Sequence, residues 1–172
     1  MNSKSYYNDD YDPCRKDPCR KEKKKEACPV LIKCSSPGSV TIPAATIAGT
    51  AFTTTSLTLD TSNLCNPCSK IEFTSNLVAP VAFTGTISFQ IFKQCNNQFT
   101  PAPIGPAFTF SLVALLTSET FTFFVCDCDS CNNDCCIYTA VATVTSPVTV
   151  GTLSINNATL GAISTCSAQS CC

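Results

Sequence analysis

The residues from Val81 to Lys93 alternate with a period of two. Val81, Phe83, Gly85, Ile87, Phe89 and Ile91 take the odd positions, and Ala, Thr, Ser and Gln fill most of the even ones. In an extended chain successive side chains point to opposite faces, so this pattern buries one face and exposes the other. Weaker versions recur at Ser39–Ile47, Phe52–Leu59, Lys70–Val78, Ala107–Leu116, Thr120–Cys126, Ile137–Thr145 and Val148–Ile155, with a further short run at Ala158–Ile163. Thr, Val, Ile and Phe suit a pleated, half-buried surface. Turn-forming residues separate the runs: Ser62-Asn63, Asn66-Pro67, Ala79-Pro80, Cys95–Gln98, Pro101–Pro106, Asn132–Asp134, Ser146-Pro147 and Asn156-Asn157. A helix over Ser111–Leu116 is conceivable, but its length and neighbours fit a strand better. Eight or nine short strands predict an all-β chain, an antiparallel β-sandwich of jelly-roll or immunoglobulin-like type, with the jelly roll favoured. An open sandwich of this kind leaves edge strands that can pair with another subunit.

The first 33 residues read differently. They hold nine Lys/Arg and six Asp/Glu, repeat an Asp-Pro-Cys-Arg-Lys unit, and lack apolar periodicity. Asp-Pro and Cys-Pro steps disfavour a regular helix, and a segment that cannot bury itself is expected to be mobile. The chain therefore divides into a cysteine-bearing N-terminal connector arm, 1–33, and a β-sandwich domain, 34–172. The body carries only Lys70 and Lys93 as bases, and Asp60, Glu72, Glu119, Asp127, Asp129 and Asp134 as acids. So few charges leave a surface of Thr, Ser, Ala and Asn suited to burial against copies of itself. A neutral secreted domain is the plainer alternative.

Composition excludes several chemistries. The sequence has no histidine, which removes the commonest general base and a common metal ligand. The body offers few Lys, Asp or Glu from which to build a nucleophile–base pair, so an enzyme is not expected. No cofactor is expected either. Lys21 and Lys23–Lys25 could touch an anionic surface, but Glu22 and Glu26 interleave with them and no aromatic residue does. A solvated arm is the simpler reading, and no nucleic-acid partner is expected. No stretch is apolar enough to span a membrane as a helix. The opening MNSKSYYNDDYDPC lacks the apolar core of a secretory signal. Cysteine-rich chains nevertheless favour oxidising surroundings. Release by lysis of the producing cell, as happens around a bacterial spore, would satisfy both.

The 15 cysteines gather in the arm, in turns and at the C-terminus, leaving the predicted strands largely free of them. Cys14, Cys19, Cys28 and Cys34 form the first group, and Cys65 and Cys68 the second. Cys126, Cys128, Cys131, Cys135 and Cys136 form the third, and Cys166, Cys171 and Cys172 the last; Cys95 stands alone in a turn. An odd total leaves at least one thiol over in a fully oxidised monomer. Adjacent strand residues point to opposite faces, so each member of a Cys-Cys pair should find a different partner. Candidates for bonds between subunits are Cys14, Cys19 and Cys28 in the arm, Cys65, Cys68, Cys126, Cys128, Cys131, Cys135 and Cys136 in the body, and Cys171 and Cys172 at the end. The alternative is structural zinc. Cys65-x-x-Cys68 and Cys128-x-x-Cys131 each have knuckle spacing, and four thiolates would close a tetrahedral site. A redox Cys-x-x-Cys needs a helix after a strand, a context missing here. Asp127, Asp129, Asn132, Asn133 and Asp134 lack the central glycine and terminal glutamate of a calcium loop.

Four segments carry a resemblance: Lys33–Pro43 (KCSSPGSVTIP), Leu57–Cys68 (LTLDTSNLCNPC), Phe123–Cys131 (FFVCDCDSC) and Gly151–Asn157 (GTLSINN). They are similar to a family of small cysteine-rich proteins of unknown function in endospore-forming clostridia, over most of residues 28–165. In plan the chain also resembles the subunits of bacterial endospore appendages: jelly-roll domains with a cysteine-bearing N-terminal connector, stacked into fibres and locked by disulfides between subunits. That resemblance implies a structural protein of the spore surface whose partners are copies of itself in a helical homopolymer. A two-dimensional coat or exosporium lattice is the runner-up. The body is longer and richer in cysteine than a connector mechanism needs, so no particular disulfide partner is carried over.

Overall fold

The periodic runs become strands. A computed structural model describes residues 28–96, 98–114, 117–128 and 135–166. Among these are nine strands: β1 (Leu31–Cys34), β2 (Gly38–Ile42), β3 (Ala51–Asp60), β4 (Pro67–Ala79), β5 (Phe83–Cys95), β6 (Ala102–Ala114), β7 (Thr117–Asp127), β8 (Cys135–Val144) and β9 (Leu153–Cys166). Ser111–Ala114 lie in β6, as strand rather than helix. Leu31–Lys33, inside the span read as the arm, belong to β1.

Two antiparallel sheets form. One has the order β1-β9-β4-β7, with β2 also pairing β9, and the other runs β3-β8-β5-β6. Since β1 and β2 pair in series with the same strand, they act as one broken strand. Counted so, the two sheets have the interleaved order of a jelly roll, the all-β sandwich expected. Buried Phe73, Phe83, Phe89, Ile71, Ile87, Ile91, Leu59, Leu77, Ile155 and Leu160 fill the space between them. Rings of Phe73, Phe89, Phe121 and Phe123 meet at centroid distances of 4.7–5.8 Å, the spacing favoured by aromatic pairs.

Two expected breaks are strand interior instead. Asn156-Asn157 is not a turn, because β9 runs unbroken through it. The register with β4 passes from Thr74↔Thr159 to Asn76↔Asn156, so one extra residue bulges out. Asn157 takes a φ of 54° there, a left-handed value that Asn tolerates. Burial then shifts phase, from Leu153 and Ile155 to Ala158, Leu160 and Ala162. Likewise much of Pro101–Pro106 lies in β6. This strand ends its sheet, so prolines that cannot donate a ladder hydrogen bond do no harm. Gly105, with a φ of 65°, sits where the pairing with β5 slips between Phe89 and Ile91. Conversely, the run Ser39–Ile47 keeps strand form only to Ile42; Pro43 follows, and Ile47 makes an isolated bridge to Val148.

Candidate functional site

Antiparallel pairing sends alternate strand ends to the same pole. The start of β4 lies against the end of β9 (Pro67↔Cys166) and the end of β7 (Ser69↔Asp127). In the other sheet the start of β8 lies against the ends of β3 (Asp60↔Cys135) and β5 (Cys95↔Cys136). The links from β3 to β4, β5 to β6 and β7 to β8 therefore share one end. Cys28, Cys65, Cys68, Cys95, Cys126, Cys128, Cys135, Cys136 and Cys166 all belong to it, with Cys34 a few residues further along β1. The loops of the opposite pole, 43–50, 80–82 and 145–152, contain no cysteine.

Three disulfides close this end. Cys28–Cys166 ties the residues before β1 to the end of β9, Cys68–Cys128 ties β4 to the residue after β7, and Cys95–Cys136 joins cross-strand neighbours on β5 and β8. Cys34, Cys65 and Cys126 are exposed thiols. Two expectations about placement change. Cys95 closes β5 and bonds Cys136, so it does not stand alone. Cys34, Cys68, Cys95, Cys126, Cys135, Cys136 and Cys166 belong to strands, because the strands extend beyond the apolar runs that mark their cores. In the vicinal pair, Cys136 is the buried member, as alternation requires. Of the cysteines considered for the zinc alternative, Cys68 and Cys128 bond each other, Cys65 is an exposed thiol, and Cys131 lies outside the described residues. Cys14, Cys19, Cys171 and Cys172 lie outside them too. Among the described residues no three Cys, Asp or Glu side chains come together as a metal site, and no helix is long and apolar enough to cross a membrane.

A polar cluster under these cysteines was not picked out from the sequence. Lys93 Nζ lies 2.6 Å from Asp127 Oδ2, with both side chains nearly buried (13 % and 9 % exposed). Tyr138 donates its hydroxyl to the same carboxylate oxygen at 2.7 Å, and the ammonium lies 5.9 Å from the Tyr138 ring centre. Burial, the hydrogen bond to Asp127 and the Asp127 charge all push the Tyr138 hydroxyl far above the usual tyrosine range. The signal existed: Lys93 continues the odd, inward positions of β5. On the loop leading to Cys65, the Ser62 N–H donates to Asp60 Oδ1 at 3.0 Å. Hydrogen bonds from Ser62 hold the Asp60 carboxyl below its usual range. Leu64, buried at the base of the loop, anchors it beside the exposed thiol.

No functionally curated protein matches the chain. Among solved structures, that of the infectious bursal disease virus Gx strain is similar with a TM-score of 0.47 at 9 % identity, covering 88 % of this chain and 41 % of that one. The enzymatically active domain of bacteriophage CBA120 tailspike protein 4 gives 0.39 at 13 %, covering 76 % and 19 %. The family 11 carbohydrate-binding module from Clostridium thermocellum gives 0.37 at 16 %, covering 78 % and 84 %. This chain spans less than half the length of the first two, and all three likenesses concern the fold alone. Residues 28–165 match the family model of a domain of unknown function, DUF4489. That match covers the whole sandwich except the last residue of β9, and the chain belongs to the DUF4489 family.

Proposed function

We propose that this protein is a non-enzymatic structural subunit that assembles with copies of itself and is locked by disulfides between subunits. The observation that carries the reading is the polarity of the sandwich. Every described cysteine lies toward one end, and three of them, Cys34, Cys65 and Cys126, are exposed thiols there. The Cys28–Cys166 bond fixes the root of the N-terminal segment at that same end, so the segment that carries Cys14 and Cys19 is attached at the thiol-bearing pole. They reach a neighbour's Cys65 or Cys126 while the bonds within the chain hold the body together. A body with one distinct end favours a head-to-tail contact, which builds an open filament unless its rotation closes a ring. The setting that suits it is a durable fibre at the spore surface or outside the cell.

Non-reducing gel electrophoresis of material from its native setting tests this. A ladder of covalent oligomers that collapses to a monomer on reduction is expected, with mass spectrometry placing Cys14 or Cys19 in bonds between chains. A monomer band without reductant overturns the covalent assembly. Negative-stain microscopy separates fibres, the expected result, from flat lattices.

A further inference from the structure

The outer face of the β1-β9-β4-β7 sheet carries a pattern of charge and shape beside two of its exposed thiols. Backbone register aligns Ile32, Ile163, Lys70 and Cys126 in one row across the four strands, and Cys34, Gly161, Glu72 and Phe124 in the next. Lys70 and Glu72 pair at 2.9 Å in the half of this face nearer the cysteine-bearing end, each about half exposed (45 % and 53 %). Their flanks are apolar: Ile32, Ile163 and Phe124 are all exposed. Gly161 leaves a dimple in a groove of about 260 Å³ lined in part by Ile32, Lys70, Glu72 and Ile163. A Cβ on Gly161 would meet nothing within 4 Å, and its φ is not in the left-handed region. The fold of the single chain therefore does not need a glycine here, although glycine weakens a strand interior. Glycine at such a position suits the close approach of something from outside.

We infer that this face packs against the same face of a second copy, about a two-fold axis that lies in the interface, runs across the strands and passes between the two rows. That rotation reverses strand direction, lays β4 over β4 and exchanges the rows. Lys70 of each copy then lies over Glu72 of the other, closing a ring of four alternating charges. Ile163 of each copy lies over the Gly161 dimple of the other. One operation satisfies both the charges and the shape, which is the self-complementarity an isologous contact requires. A two-fold axis along β4 would stack Lys70 on Lys70, and one between β9 and β4 would set both charges against Ile163 and Gly161.

The face is about 15 Å wide at the usual strand spacing and about 40 Å long along β4. The axis crosses β4 at Ile71, so about 30 Å of that length (Pro67–Ser75) overlaps, and pairing it buries on the order of 900 Å² in total, the size of a weak, concentration-dependent contact. It is non-covalent, and because the rotation reverses strand direction it would join subunits of two antiparallel filaments side by side; Cys34 and Cys126 stand in the paired rows, so at such a contact Cys65 is the exposed thiol left for the arms.

Sedimentation velocity on the full-length chain, purified as covalent monomer, tests the pairing. Non-reducing gels of the same samples keep covalent dimers separate from reversible ones. A reversible monomer–dimer shift is expected between low micromolar and near-millimolar concentration. Lys70→Glu and Glu72→Lys should each weaken it at least about tenfold by setting like charges face to face, and an equal mixture of the two variants should restore a dimer. Gly161→Leu should abolish dimerisation while leaving the thermal melting point of the monomer unchanged. A wild-type chain that stays monomeric throughout overturns the proposal. So do charge variants that dimerise like wild type, or a mixture that stays monomeric.

Discussion

Lys93 on β5 and Asp127 at the end of β7 join the two sheets of the sandwich through a 2.6 Å ion pair beneath the cysteine-bearing end. Tyr138 from β8 completes the cluster by donating to the same carboxylate oxygen. Buried charges of this kind persist because each has its partner. Lys93→Met leaves the Asp127 charge with only the Tyr138 hydroxyl, and should cost about 3–5 kcal/mol of stability. Lys93→Met combined with Asp127→Asn should cost less than Lys93→Met alone, since a neutral amide still accepts from Tyr138. Urea denaturation of the three proteins at neutral pH reads the difference.

Tyr138 sets an alkaline limit. Its hydroxyl ionises well above the ordinary tyrosine range in the folded protein, whereas the unfolded chain ionises it near about pH 10. The unfolded state therefore loses this proton first. The contribution is fully present below that pH and is lost as pH rises through the interval up to the folded value. In a spectrophotometric titration, Tyr138 should be the last of the four tyrosines to ionise. Tyr138→Phe should remove that late step.

The disulfides close chain lengths that rank their effects. Cys28–Cys166 spans 138 residues, against 60 for Cys68–Cys128 and 41 for Cys95–Cys136. Loop-closure entropy predicts a loss of about 5 kcal/mol when the first is replaced by a pair of alanines, and about 4 kcal/mol for each of the others. Thermal melts of the three double variants under non-reducing conditions give the order. In intact monomer, alkylation without reductant should reach Cys34, Cys65 and Cys126 and spare the six bonded cysteines.

Ser75 offers the opposite sign. It is buried on β4 beside the bulge of β9, and its hydroxyl has no hydrogen-bond partner. A desolvated, unsatisfied hydroxyl costs about 1–3 kcal/mol. Ser75→Ala should therefore stabilise the protein, by about 1 kcal/mol once lost packing is counted. A raised urea midpoint with an unchanged denaturant slope is the expected result.

Strand type was legible because alternation is local. Val81–Ile91 announces a half-buried strand from its own residues, and β5 keeps Phe83, Ile87, Phe89 and Ile91 in the core. The bulge at Asn157 was not legible as such. A one-residue phase slip flanked by two asparagines has the same signature as a turn, and only the unbroken pairing with β4 distinguishes them. The prolines of β6 misled for a related reason: their tolerance depends on the strand being at an edge, which is a property of the sheet order.

The sequence by itself determined the all-β class, the alternation of core and surface, and an excess of thiols over what one chain can pair. Only the tertiary structure decided that Cys95 meets Cys136, that Cys28 meets Cys166, and that the described cysteines face one pole. Side-chain alternation depends on neighbours two residues apart, so it is written along the chain. A disulfide or a buried ion pair depends on which strand lies beside or across from which, and the packing of the sandwich makes that choice.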